Sequence, residues 1–305
     1  MVLVAPRPLL QPALPGDADA ETGTDRGTGA EVLALLRGDA ATRPRFDPGL
    51  AGGLRAWLED AAYDVVVARG EHAPPLFLGP RQLLGSYEEA GGEDGARRGD
   101  GRGDRLVLSR LVHTLFRQLV HTGEIQDPLG DALDALRAAG DEAEVREIEA
   151  LPAAARTALT ETLSLHAHNL TGLVPRFAPG WMPRTNDRVA IPLAGGRIVL
   201  HGVFDLVVGL PQPRTASLCA LGLSTGGPWA AARRSLHYLS LLETLRTGTP
   251  PFRLALLESA SGRYGVEDVR EEHLRAIASH IAAWLARDAG AGTDVGISAA
   301  TSQHG

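Results

Sequence analysis

Lysine is missing from this chain of 305 residues, because all 30 of its lysine-or-arginine positions are arginine. No side chain can therefore supply an ammonium group, the compact cation that many phosphate-handling sites use. Cysteine is almost missing as well, and the single Cys219 excludes an internal disulfide and a zinc site built from cysteines. This cysteine usage is typical of a protein in a reducing cytoplasm.

Long apolar runs are also missing. No stretch reaches the roughly 18 apolar residues that a membrane span requires. Residues 1–10 lack the uninterrupted apolar centre of a signal peptide. We therefore expect a cytoplasmic protein that has no membrane partner.

Positive charge is not in excess. The formal net charge is −7 at pH 7, and the isoelectric point is about 5.8. A protein that coats nucleic acid through bulk charge is basic, so this class is excluded. A local arginine patch remains compatible with contacts to DNA phosphates.

The first part of the chain shows helical rather than alternating periodicity. Residues 1–45 are rich in Pro, Gly, Asp and Thr and are expected to be a disordered tail, apart from a short helix at 31–37. Residues 46–187 are expected to be helical, with a flexible Gly/Arg/Asp-rich loop at 91–104. Residues 288–305 are expected to form a second disordered tail.

Apolar residues alternate, or run continuously, in the last third of the chain. The pattern predicts strands joined by turns, with two helices between or after them. The predicted strands are 188–193, 197–210, 217–223, 251–258 and 263–269, and the helices are 230–247 and 271–286. This order predicts an α/β core at 188–287, in which helices cover a mixed sheet.

Three stretches of this core carry a recognisable set of residues. GGRIVLHGVFDLVVG at 195–209 contains a Gly-x-x-Asp motif, LGLSTGG follows at 221–227, and RRSLHYLSLL at 233–242. Together they resemble the RecB-like branch of the PD-(D/E)XK nuclease superfamily, over about 74–286. The resemblance implies a restriction-endonuclease-like mixed sheet flanked by helices, with a helical N-terminal part.

The resemblance also implies a site for DNA hydrolysis. That chemistry needs a divalent cation, Mg²⁺ or Mn²⁺, held by hard ligands, and a cation that stabilises developing charge. By position, His113 stands at the metal-binding histidine of an early helix and Asp205 at the first acidic ligand. Tyr238 stands at the tyrosine of the helix that follows the strands.

Three other positions of the branch hold residues of the wrong chemistry. Gly222 stands at the second acid, Ser224 at the lysine and Arg234 at the glutamine. A His/Asp half-site should hold Mg²⁺ or Mn²⁺ only weakly. We therefore expect a catalytically impaired protein that acts in DNA binding or processing.

Two alternatives remain open. Glu161, on the preceding predicted helix, is a candidate for a migrated metal ligand, which would make the chain an active metal-dependent DNA nuclease. The other alternative is a module that binds a protein partner through its helical half. Each site residue also has a structural explanation: His113 as an ordinary structural histidine, Tyr238 as a packed side chain, and Arg234 as part of an exposed helix face.

Overall fold

Six strands form one mixed sheet, which the computed structural model places at the centre of the fold. The described residues are 28–38, 43–70, 72–84, 101–210, 212 and 215–300. The strands are β1 (Leu76–Leu78), β2 (Arg184–Leu193), β3 (Ile198–Val208), β4 (Cys219–Ser224), β5 (Arg253–Glu258) and β6 (Arg263–Asp268).

Helices cover both faces of this sheet. They are α1 (Gly29–Arg37), α2 (Leu50–Arg69), α3 (Pro80–Leu84), α4 (Gly101–Thr122), α5 (Pro128–Ala138), α6 (Glu142–Glu149), α7 (Ala153–Leu173), α8 (Trp229–Thr247) and α9 (Glu271–Ala300). None of the helices in the described part of the chain is both long and apolar enough to cross a membrane.

Strand β3 pairs with three other strands. β2 runs antiparallel along one edge of β3 over most of its length. On the opposite edge, β1 pairs in parallel at Ile198–Leu200, whereas β4 pairs antiparallel at Leu206–Val208. Within the described residues, 201–205 therefore have no strand partner on this edge. We call this gap between β1 and β4 the fork.

The rest of the sheet continues outward from β4. β5 pairs with β4 in parallel and β6 pairs with β5 antiparallel. A parallel pair needs a crossover connection, and α8 supplies it between β4 and β5. The sheet is thus mixed and helix-covered, and it confirms the expected α/β fold class.

Two apolar layers hold the helices on the sheet. On one face, α2, α8 and α9 pack through residues such as Leu58, Leu241 and Ile281, all of which are fully buried. On the other face, α1, α4, α5 and α7 pack through residues such as Leu115 and Leu170. Each buried side chain of this size contributes about 1.5–3 kcal/mol.

Some boundaries differ from the sequence prediction. The expected short helix is α1, and it belongs to the core rather than to a disordered tail, because Val32 and Leu36 are fully buried. A capping box between Thr28 and Glu31 fixes its start. At the other end, α9 continues past residue 287 to Ala300.

The expected internal divisions differ as well. Residues 101–104 of the predicted loop are the first turn of α4, and 91–100 lie outside the described residues. The boundary between 187 and 188 falls inside β2. Both sides of it contribute to the same two apolar layers, so the helical part and the α/β part share one core.

Gly209 is a position where the backbone requires glycine. It follows β3 with φ of 98°, and a Cβ there would lie 2.6 Å from the carbonyl oxygen of Ser217. Gly209→Ala should therefore lower the free energy of unfolding by about 3 kcal/mol, the sum of left-handed strain and a backbone clash. Urea denaturation measures this change.

Gly140→Ala provides the control, since its φ is 85° but no atom lies within 4 Å of the added Cβ. It should cost only about 1 kcal/mol. Equal losses in the two variants would contradict the clash at Ser217.

Candidate functional site

The structure brings His113 and Asp205 together at the fork. His113 Nε2 lies 3.2 Å from Asp205 Oδ1, although the two residues come from α4 and β3. The other carboxylate oxygen, Oδ2, accepts a hydrogen bond of 2.7 Å from the backbone N–H of Leu223 on β4. Asp205 therefore links β3 to β4 at the edge of the fork and satisfies an N–H that the diverging strands leave without a ladder partner.

Both ring nitrogens of His113 face acceptors. Nδ1 lies 2.7 Å from the carbonyl oxygen of Ser109, so it donates there while Nε2 donates to Asp205. Burial alone would lower the pKa of His113, but the charge and hydrogen bond of Asp205 and the Ser109 carbonyl outweigh it. The pKa of His113 is therefore raised, and the geometry is that of an imidazolium–carboxylate pair.

The pair fits a firmly held Mg²⁺ or Mn²⁺ ion poorly. The distance of 3.2 Å would suit two neighbouring ligands of one ion, since bonds of about 2.1 Å at right angles place donors roughly 3 Å apart. One carboxylate oxygen is already occupied by Leu223. Within the described residues, no further His, Cys, Asp or Glu completes a metal group here. Two ligands leave most of an octahedral shell to water, which predicts weak binding at best.

The two strand positions that lack the expected chemistry lie close by. Gly222 lines the fork, and a Cβ on it would point at Leu236 and Leu256, each with an atom 3.5 Å away. Ser224 is 8% exposed, and its hydroxyl accepts from the N–H of Gly226, which closes a local turn. Neither position supplies a carboxylate or a cation to Asp205.

Tyr238 belongs to the framework of the fork. It is fully buried on α8, and its hydroxyl lies 2.9 Å from the carbonyl oxygen of Leu78 and 3.2 Å from that of His201. Burial raises the pKa of Tyr238, so the phenol stays protonated and donates. It thus ties α8 to both β1 and β3, just where those strands separate.

The glycine of the Gly-x-x-Asp motif serves the same packing. A Cβ on Gly202 would lie 2.3 Å from Leu239 Cδ2, so glycine lets α8 lie close against β3. Arg234 lies partly buried near the start of the same helix.

Glu161 is not part of this site. It is exposed on α7, and it does not line the cavity at the fork. The single group of metal-ligating side chains found in the described part of the chain does not include it.

The cavity at the fork is small, and an arginine is among its lining residues. Its volume is about 190 Å³, and Arg81, Val203, Asp205 and Ser235 are among its lining residues. Pockets that enclose drug-sized ligands span roughly 300–1,000 Å³, so this one suits a group of the size of a phosphate. Arg117 lies near enough to act electrostatically on His113.

No protein-family model matches the chain, and no curated protein sequence matches it.

Sequence reasoning missed a second polar group, made by His237, Glu267 and His273. These residues come from α8, β6 and α9. The sequence held no signal for them, because 30 positions separate His237 from its nearest partner in the group and no short motif joins them.

Asp205→Asn should lower the pKa of His113. The substitution removes the charge that raises this pKa and leaves burial, which lowers it. Proton NMR titration of the histidine signals measures the shift, with His113→Gln to assign the signal. An unchanged His113 pKa would contradict the ion pair.

The same shift gives a pH dependence of stability. A group whose folded pKa is raised stabilises the fold fully below its unfolded pKa of about 6.5 and loses this contribution as pH rises through the folded value. The stability lost in Asp205→Asn should therefore shrink as pH rises from about 6 to 9. Thermal melts across this range give the trend.

Tyr238→Phe should lower the free energy of unfolding by about 1–2 kcal/mol, because two buried carbonyl oxygens lose their shared donor. Tyr63→Phe, at a side chain that is 63% exposed, is the matched control and should be neutral. Urea denaturation compares the two. Equal stability of both variants would contradict the role of Tyr238 as a tie between α8 and the strands.

Proposed function

We propose that this chain is a catalytically impaired protein of the PD-(D/E)XK nuclease type, which binds DNA through phosphate contacts at the fork. The element order supports the proposal. Three antiparallel strands, β2 to β4, are followed by α8 and by β5 parallel to β4. The histidine and the aspartate that the resemblance places at the metal meet at the fork, 3.2 Å apart.

The state of the Asp205 carboxylate carries the conclusion that cleavage is impaired. Its two oxygens are engaged by His113 and by the backbone of Leu223. Hydrolysis of a phosphodiester needs a polarising ion and a cation for the developing charge. Gly222 offers no ligand for the ion, and Ser224 offers no cation at the position where the resemblance places the lysine.

The charges around the fork favour an anion. Arg81 lines the cavity together with Asp205, Arg117 acts electrostatically on His113, and the pKa of His113 is raised, so three cationic groups and one carboxylate contribute to the charge of this region. Guanidinium groups bind phosphate oxygens in pairs and keep their charge at any physiological pH. A phosphate of the DNA backbone is a ligand that matches this excess of positive charge.

The active-nuclease alternative has less support. It needs a third ligand, and Glu161 lies exposed on α7 instead. The partner-binding alternative has one observation in its favour. An apolar groove of about 570 Å³ lies between α4, α6 and α7, lined by Leu108, Ile148, Leu159 and other residues.

The purified protein should bind duplex or single-stranded DNA in a salt-sensitive way, without cutting it. Arg81→Ala should weaken binding and reduce the salt slope by about one unit, as expected when one phosphate contact is lost. Fluorescence anisotropy over a range of salt concentrations measures both. Arg270→Ala is the control, because it removes an exposed arginine that follows β6 at the far edge of the sheet.

A cleavage assay runs beside the binding assay, with plasmid and single-stranded DNA in Mg²⁺ or Mn²⁺. Cleavage that Asp205→Ala abolishes would replace the proposal with an active nuclease. Absence of both binding and cleavage would overturn it in favour of a partner-binding module.

A further inference from the structure

A second cluster of polar side chains lies where α8, β6 and α9 meet. His237 projects from α8, Glu267 from the end of β6, and His273 from the first turn of α9. Each offers one ligand atom, and these three atoms all lie within 4.8 Å of one another. We call this group the His–Glu–His cluster.

His237 holds the cluster together, because it contacts both Glu267 and His273. His237 Nε2 lies 2.7 Å from Glu267 Oε1, and the side chain of His237 is just 2% exposed. The two imidazole rings stack, with centroids 4.8 Å apart and planes inclined by 16°. Nδ1 of His237 and Nδ1 of His273 are buried, and neither has a hydrogen-bond partner in the described part of the chain.

Buried polar atoms in proteins are almost always hydrogen-bonded, so the unpartnered Nδ1 of His273, beside a second imidazole and a carboxylate, points to a ligand. A neutral imidazole nitrogen that bears no hydrogen is a lone-pair donor. Two imidazoles and a carboxylate are also a common ligand set of zinc, with water in the fourth position. A cavity of about 60 Å³, lined by Trp229, Gly265 and Glu267 among others, adjoins the cluster. This cavity has room for that water, since one water molecule occupies about 30 Å³.

We propose that His237, Glu267 and His273 form a binding site for a divalent transition metal of the Zn²⁺ type, separate from the fork. Nitrogen ligands favour zinc and its neighbours in the first transition series over Mg²⁺, which prefers oxygen. The inference does not depend on the function proposed for the fork, because none of the three residues lines the fork.

Arg233 acts as the outer partner of this site. Its Nε lies 3.0 and 3.1 Å from the two carboxylate oxygens of Glu267. Ligating carboxylates are usually fixed by such hydrogen bonds. A carboxylate has about four lone-pair positions, so Glu267 can keep Arg233 while one oxygen turns to the ion.

Metal binding requires a small rearrangement. Bonds of about 2.1 Å to a tetrahedral ion place the donors roughly 3.4 Å apart, closer than the spread of the cluster. The ion takes the place of the proton between His237 Nε2 and Glu267 Oε1, which is released to solvent, and the His273 ring must turn so that one of its nitrogens converges on the ion. His273 is partly exposed and lies in the first turn of α9, so its ring has the freedom to do this.

Titration of tag-free, chelator-stripped full-length protein tests the site. Zn²⁺ should bind at one equivalent by calorimetry, and Co²⁺ should give the visible absorption of a low-coordinate site with nitrogen ligands. Excess Mg²⁺ should not displace either ion. His273→Gln should weaken Zn²⁺ binding by more than about 100-fold, since loss of an outer partner alone costs 10–100-fold.

Glu267→Gln should weaken binding as well, while two control variants should keep it. His121→Gln removes a histidine outside the cluster, and Asp205→Asn alters only the fork. His237 is left intact because its burial makes misfolding of a variant the expected result. Circular dichroism confirms that each variant is folded.

Three results would overturn the proposal. They are absence of stoichiometric Zn²⁺ or Co²⁺ binding, unchanged affinity in folded His273→Gln, and loss of binding in Asp205→Asn alone. The first result would mean that Arg233, His237 and Glu267 form an ion-paired group that binds no metal. The last result would place the metal at the fork instead.

Discussion

The arrangement of the site follows from one constraint, which is that β1 and β4 pair with the same edge of β3. Two strands cannot hydrogen-bond the same edge over the same residues, so β1 takes its beginning and β4 its end. The backbone between them is left without a ladder, and unpaired backbone groups in a protein interior must find other partners. The Asp205 carboxylate supplies one by accepting from Leu223, and the Tyr238 hydroxyl supplies another by donating to His201.

Asp205 therefore has a structural role that does not depend on catalysis. A carboxylate that links β3 to β4 at the fork stabilises the fold whether or not it also binds a metal. Stability and ligand binding must therefore be measured separately in any variant of Asp205.

Three consecutive residues of α8 connect the two polar regions of the molecule. Tyr238 bonds to the backbone of β1 and β3, Leu239 packs over Gly202, and His237 faces Glu267 and His273. Successive side chains of a helix point about 100° apart, so one turn can face three directions. The helix is buried along this stretch, which fixes both regions relative to the same rigid element.

The sequence by itself determined the kind and order of the elements, because hydrophobic period, proline and glycine act locally. It also selected Asp205, since a carboxylate within an apolar strand needs a partner. Only the tertiary structure decided that His113 is that partner, that Glu161 lies elsewhere, that Tyr238 is a tie between strands, and that the His–Glu–His cluster exists. These outcomes depend on how strands share an edge and on contacts between residues that are 30 or more positions apart in the sequence. The local hydrophobic period carries no information about either.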